Sequence, residues 1–226
     1  MNPVAADAGQ IANRSARALI EANAQEATDL IGELTLLLDR IGNESAYIAA
    51  ARMVTRRIAD RLGQLVTLQR LERGGGMRPD MWSPIAVLEE LEHEAIALAG
   101  NRTDISVRTP ELVPQYWFFD RELAGMVLTN ALHSALTHAT RSVVLELRLH
   151  DGQLGFCVAD DGGAFPDELV APAVRPFERG EINGNALGVY FARLVAATHT
   201  HAGRHGWVEL SNRSDGPGTR FALWLP

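Results

Sequence analysis

The residues of this chain best suited to chemistry lie in Val158-Ala-Asp-Asp-Gly-Gly-Ala-Phe-Pro166. An apolar run, Leu154 to Val158, leads into two carboxylates and two glycines. A strand ending there would hold Asp160 as a buried acceptor for a ligand amine. Gly162 and Gly163 would let the backbone take φ > 0 and come close to that ligand. In most proteins a strand closing on Asp-Asp-Gly-Gly is only a hairpin or loop, so the weight falls on the elements around it.

Other reactive side chains give less. Cys157 is the single cysteine, so no intrachain disulfide forms, and its place inside the apolar strand suits a small buried hydrophobe. His199, His201 and His205 form a His-x-His-x-x-x-His run in a polar loop. Without an acidic or cysteine partner close in sequence, three loop imidazoles do not make a metal site. Across 226 residues, 46% are hydrophobic and 22% charged, which describes an ordinary globular chain of one or two domains. A net charge of −7 with no basic stripe argues against a nucleic-acid surface. Every basic residue is Arg, which removes lysine as a phosphate partner. No apolar run approaches the roughly 20 residues that span a bilayer, and the N-terminus has no signal-peptide pattern. The expectation is a cytoplasmic protein without membrane insertion.

The elements that must position the Asp-Gly turn can be read in order. From Ile11 to Ile41 the chain is rich in Ala, Leu and Glu and lacks Pro. Leu30, Ile31, Leu34, Leu37, Leu38 and Ile41 share one helical stripe. Gly42-Asn43 signals a cap and turn, and a second helix follows from Glu44 to Glu72 with Val54, Ile58, Leu62, Leu65 and Leu68 on one face. Two such helices make an antiparallel hairpin that cannot enclose its own apolar stripe. Either the C-terminal part covers it, or, as favoured, two copies build a homodimeric four-helix bundle.

Gly74-Gly-Gly76, Pro79 and Pro84 mark a domain boundary. Beyond it the pattern predicts a helix at Ile85–Leu98, short strands at Ile105–Arg108 and Trp117–Phe119, and an apolar helix at Arg121–Thr140. Hairpins are predicted at Ser142–Leu149 with Leu154–Ala159 and at Trp207–Asn212 with Arg220–Leu225, with a helix at Leu187–Ala197 between them. The fold class is therefore α+β: a helical hairpin over residues 10–74, then a two-layer α/β sandwich over 80–226.

This order resembles the core of bacterial sensor histidine kinases over residues 10–226: a dimerisation and phosphotransfer hairpin, then an ATP-binding domain of the Bergerat (GHKL) type. Leu65-Val-Thr-Leu-Gln-Arg-Leu-Glu-Arg-Gly74 is similar to the family's exit from the hairpin. Phe119-Asp-Arg-Glu-Leu123 resembles the start of its nucleotide-binding helix, and Gly218-Thr219-Arg220-Phe221 its last strand. The resemblance implies that Asp160 recognises adenine with Gly162, and that Thr219 belongs to the same pocket. It implies ATP or ADP as ligand, with Mg²⁺.

The departures are as informative. In Asn130-Ala-Leu-His-Ser134-Ala-Leu-Thr137-His138, Asn130 matches the first family position and would be a weak Mg²⁺ ligand through the nucleotide only. Ser134 stands where the family places its principal Mg²⁺-coordinating Asn, and Thr137 where a phosphate-contacting Lys is common. His138 falls where a ring often meets the nucleotide. Pro176-Phe177-Glu-Arg179 resembles the start of the ATP lid, and Gly184-Asn-Ala186-Leu187-Gly188 the phosphate loop with its middle Gly changed to Ala. A helix starting at Gly188 would present free N–H groups to a phosphate. Ala164 replaces the second Gly of the Asp-Gly turn.

All seven histidines lie after residue 76. A histidine kinase needs an imidazole on the first helix, and Ser15-Ala-Arg-Ala-Leu19 occupies that place. The expected function is a degenerate histidine-kinase-like signalling protein: a dimeric scaffold that binds ATP or ADP weakly and docks a partner such as a response-regulator receiver domain. Two alternatives stand beside it. One is an active ATP-dependent protein kinase of the anti-sigma-factor kind, which Ser134 weakens. The other is an ATP-independent phosphotransferase, which would need a histidine on the hairpin.

Overall fold

A computed structural model of the chain describes residues 76–170, 184–214 and 216–226, with scattered positions between 26 and 71. Two compact units emerge: Met1–Arg70 with Arg175–Leu187, and Leu71–Val174 with Gly188–Pro226. In the first, the described residues between 26 and 37 and between 50 and 67 are helical. Leu30, Ala51 and Val54 are buried there, as are Gln64 and Thr67. The turn at Gly42-Asn43, the antiparallel pairing of the two helices and the lid segment Pro176–Arg179 lie outside the described residues, and the dimer is not tested by a single chain.

The second unit is built around one sheet. Strand β1 is Asp80–Trp82 and helix α1 is Pro84–Ala99; β2 (Asp104–Arg108), β3 (Trp117–Phe119) and helix α2 (Arg121–His138) follow. Next come β4 (Ser142–His150), β5 (Gln153–Asp160), a short α3 (Asp167–Val170) and α4 (Gly184–Thr198). The chain ends with β6 (Thr200–His201), β7 (Arg204–His205), β8 (Trp207–Asn212) and β9 (Thr219–Leu225). The main sheet has five strands in the order β2-β4-β5-β9-β8. Only the β2–β4 pair is parallel, and α2 lies over β5 and β9 while α1 lies over β2 and β4.

Local chemistry explains the boundaries. The Ser83 hydroxyl accepts the N–H of Ala86 at 3.3 Å, Pro84 occupies the first turn, and Gly100 at φ 56 closes α1. Asp120 caps α2 by accepting the N–H of Leu123 at 3.0 Å. Asp151-Gly152, at φ 49 and φ 72, forms the two-residue turn between β4 and β5, where His150 faces Gln153. Val143, Leu145, Leu147, Leu154, Phe156, Val158, Leu223 and Leu225 alternate into the buried face, where Phe156 meets Phe119 edge-on at 5.8 Å. On the opposite face the Trp224 ring lies flat over Gly155, where an added Cβ would sit 2.7–2.9 Å from the indole, and Trp207 stacks on it at 5.5 Å. Cys157 is buried beside Ala222 and Trp224, and burial pushes its thiol up to about 12.

Three expectations change. The β1–β3 pair, with Met81 opposite Phe118, was not expected, because three residues between two prolines carry no readable period. Helix α4 begins at Gly184, one turn before Leu187, since Asn185-Ala186-Leu187 can continue a helix where a glycine-rich loop would not. His199, the residue between α4 and β6, is not on a polar surface; it is 2% exposed. No helix among the described residues is long and apolar enough to cross a membrane.

Candidate functional site

Strand β5 carries Asp160 as its last residue, and the side chain is 4% exposed. Burying a carboxylate demands partners, and two are supplied. One oxygen accepts the N–H of Gly162 at 2.8 Å. The other accepts the hydroxyl of Thr219, the first residue of β9. Gly218, just before it, sits at φ 126, and any Cβ there would strike the carbonyl oxygen of Asp160. Glycine at 218 is thus required twice, by its backbone conformation and by the closeness of the end of β5 to the start of β9.

Gly162 is required for another reason than the one expected. Neither it nor Gly163 takes positive φ. A Cβ on Gly162 would collide with the carbonyl oxygen of His138, at the end of α2, so its bare Cα lets the turn rest on the helix end. A Cβ on Gly163 meets nothing within 4 Å. The glycine requirement therefore comes from packing against α2.

Asp161 points a different way from its neighbour. One of its oxygens accepts the N–H groups of Thr140 and Arg141, each at 2.9 Å, and of Ser142 at 3.1 Å. Burial raises its affinity for a proton, but the N–H groups of Arg141, Ser142 and Thr140 outweigh this and hold the carboxyl at about 2. Beyond the turn, the Asn212 amide pairs with Phe165 at both N–H (2.7 Å) and C=O (3.2 Å). Asp161 and Asn212 were not singled out in the sequence; no motif marks a clip of this kind.

Helix α2 carries the other expected contacts. Asn130 and Ser134, four apart, are half-buried, while Thr137 and His138 are exposed. The Thr137 hydroxyl is given to the His133 carbonyl at 2.7 Å, so as a donor it is already used on its own helix. His133 is buried, with Nε2 3.3 Å from a Glu94 oxygen of α1; the other Glu94 oxygen accepts the Thr129 hydroxyl at 3.3 Å. Leu187 and Gly188 are buried within α4. Because α4 starts at Gly184, Gly188 is not the helix N-terminus, and its N–H is not one of the free groups expected there. Asp160, Gly162 and Thr219 are thus brought together by hydrogen bonds, with His138 against the turn through its main chain. Gly184 and Leu187 belong to the first unit.

Among the described residues, no group of three or more His, Cys, Asp or Glu could hold a metal ion. Two cavities of the second unit lie away from Asp160. One, of about 340 Å³, is walled by Trp117, His199 and Pro226; the other, of about 670 Å³, lies beside Arg148, Trp207 and Trp224.

Comparison with known proteins bears on the fold that carries this turn. Residues 119–226 match the family described as histidine kinase-, DNA gyrase B-, and HSP90-like ATPase. The chain is 30% identical over 186 residues to a probable sensor histidine kinase of Mycobacterium tuberculosis, covering 80% of this chain and 47% of that protein. It is 25% identical over 248 aligned residues to the sensory histidine kinase/phosphatase NtrB of Rhodobacter capsulatus, covering 96% and 67%. The chain thus spans about half the length of the mycobacterial relative. Among solved structures, the Acinetobacter baumannii histidine kinase AdeS superposes with a TM-score of 0.57 at 14% identity, over 88% of this chain and 93% of that one. The catalytic domain of the histidine kinase ThkA gives 0.53 at 18% identity, over 66% and 97%. At those identities the structures speak to fold alone. Residues 119–226, just under half of the chain, thus match this ATPase family, and the relatives named here are described as sensor histidine kinases.

Proposed function

We propose that this chain, with its histidine-kinase-like ATPase domain, is a degenerate member of a two-component pathway: a dimeric scaffold that binds ATP or ADP weakly and docks a partner such as a response-regulator receiver domain. The observation that carries the proposal is an uneven pocket. Its adenine end is built: Asp160 is buried, braced by Gly162 and Thr219, and an ionised carboxylate with two partners still has lone pairs for a ligand amine. Its phosphate end is depleted: Ser134 and Thr137 stand at the Mg²⁺ and lysine positions, and the Thr137 hydroxyl is turned onto its own helix. Asn130, half-buried on α2, is the remaining carboxamide for a metal carried in with the nucleotide. Bound Mg²⁺ would supply charge neutralisation of the phosphates.

Phosphoryl transfer to the chain itself needs a histidine on the hairpin, and the first histidine is His93. Docking and dimerisation follow the habit of sensor kinases, which pair through such hairpins and meet receiver domains there. Calorimetric titration of the full chain with ATP and ADP, with and without Mg²⁺, tests the pocket. Both nucleotides should bind about equally and with little metal dependence. Tight, strictly Mg²⁺-dependent ATP binding would overturn the reading. So would acid-labile, alkali-stable label on the chain after incubation with γ-labelled ATP. Sedimentation of a monomer at micromolar concentration would remove the dimer.

A further inference from the structure

We infer that Asp161 is a positioning residue of the pocket, fastening the turn that presents Asp160 to the end of the helix that carries Asn130 and Ser134. The inference deepens the nucleotide reading and rests on it for the ligand.

Main-chain accounting between α2 and β4 carries the argument. The N–H of Ala139 still closes the helix, reaching the Ala135 carbonyl at 2.7 Å. The carbonyl of Arg141 already pairs with β2, accepting the N–H of Asp104 at 2.7 Å. The three N–H groups that follow Ala139, those of Thr140, Arg141 and Ser142, all go to one oxygen of Asp161. Successive N–H groups converging in this way form a concavity that favours an anion, and here the chain fills it with its own carboxylate.

The same few residues are held at two further points. Thr219 and Gly162 fix the Asp160 carboxylate, and Asn212, which faces Thr219 across the β8–β9 ladder, grips Phe165. Both of those fastenings belong to the sheet side. Asp161 makes side-chain bonds from the turn to the connection between α2 and β4, from Thr140 to the first β4 residue Ser142, next to where the bare Cα of Gly162 rests on His138. The distance between the adenine carboxylate and the side chains of α2 is therefore set through Asp161, although Asp161 itself bonds the main chain of residues 140–142.

Asp161→Ala would leave three N–H groups without their acceptor and let the turn drift from the helix. Nucleotide affinity should fall roughly tenfold, the scale of one hydrogen bond to a charged group. Asp161→Asn keeps an oxygen in the same place and should stay within about threefold of wild type. Because Asp161 acts through Asp160, its loss should add less than about twofold once Asp160→Asn is present; residues with a merely structural role give additive effects.

Amide hydrogen exchange on the full chain supplies a readout that needs no nucleotide. In Asp161→Ala, exchange at Gly162 should accelerate together with that at Thr140 to Ser142, and Asp161→Asn should restore it. Should Asp161→Ala not fold, Asp161→Ser, whose hydroxyl is too short to gather all three amides, carries the same comparison. A folded variant with unchanged protection at Gly162 overturns the inference, as does an affinity loss that persists in full beside Asp160→Asn. If the wild type binds neither ATP nor ADP, the nucleotide reading fails by itself, and the exchange result still decides whether Asp161 holds the turn.

Discussion

The His199 imidazole accepts a hydrogen bond from the main-chain N–H of Asp120, 79 residues earlier, at 3.1 Å. Its other nitrogen donates to the Val195 carbonyl at 2.8 Å. One nitrogen must therefore be bare and the other protonated, which is the neutral ring in a single tautomer. Burial lowers the affinity of His199 for a proton, more than the Val195 carbonyl and the Asp120 charge raise it. The folded chain thus takes up this proton less readily than the unfolded one, whose value lies near 6.5. Stability from this group is complete above that pH and is lost as the pH falls below it. Thermal unfolding followed from pH 8 to pH 5 should show the decline, and His199→Gln should flatten it. His199→Phe, which leaves the Asp120 N–H unpaired, should cost about 1–3 kcal/mol at pH 8. An identical pH slope in wild type and His199→Gln would refute this account.

Two adjacent glycines should behave oppositely. A Cβ at Gly162 runs into the His138 carbonyl, and backbone cannot step aside as a flexible side chain can. Gly162→Ala should destabilise the domain by about 1–3 kcal/mol, the range for overpacking. At Gly163 an added Cβ meets open space and the backbone is not at positive φ, so Gly163→Ala should be neutral or stabilising by up to about 1 kcal/mol. Urea denaturation of the two variants measures the contrast. Equal losses would mean that the turn does not rest on α2.

Much of the fold was legible because period and turn chemistry agree. Ser142–Arg148 alternates in burial, Asp151-Gly152 calls for a tight hairpin, and the stripe Val87, Leu88, Leu91, Ala95 specifies α1. At the turn, what was legible is that a strand would end in a buried carboxylate, Asp160. The site was not legible where a residue serves a distant main chain. Asp161 and Asn212 bond backbone N–H and C=O groups 19 or more positions away, and such groups have no sequence signature. His199 sits between Thr198 and Thr200, so its neighbours suggest a surface while the packing around it does not. The glycines at 162 and 163 look alike in sequence, and only the position of the His138 carbonyl separates them.

Thr219 offers a test of the proposed adenine end. Its hydroxyl is spent on Asp160, and Thr219→Val keeps the shape while removing that donor. The carboxylate would then lose one of two partners, at a cost of about 1.5–3 kcal/mol for a hydrogen bond to a charged group. Nucleotide affinity should drop together with stability. Thr219→Ser should preserve both. A Thr219→Val chain with wild-type affinity would show that the hydroxyl is not bracing the ligand carboxylate.

The proposed metal end is tested by substitutions on α2. Ser134 lies one turn after Asn130 on α2, so both present to one side of the helix. A serine hydroxyl is a short, weak ligand for a hard cation, whereas a carboxamide oxygen reaches further and binds better. Ser134→Asn should leave ADP binding without metal unchanged, and should raise ATP affinity only when Mg²⁺ is present, by roughly tenfold if one good ligand is regained. Adding Thr137→Lys should strengthen ATP more than ADP, since the new cation would reach the terminal phosphate. Asp160→Asn should weaken every nucleotide regardless of metal, by about ten- to a hundredfold, because it acts on the base. Calorimetry of the three variants separates the two ends of the pocket. If Ser134→Asn changes nothing with Mg²⁺ present, the depleted phosphate end is not what limits binding, and the cause must lie with the adenine carboxylate or with access to it.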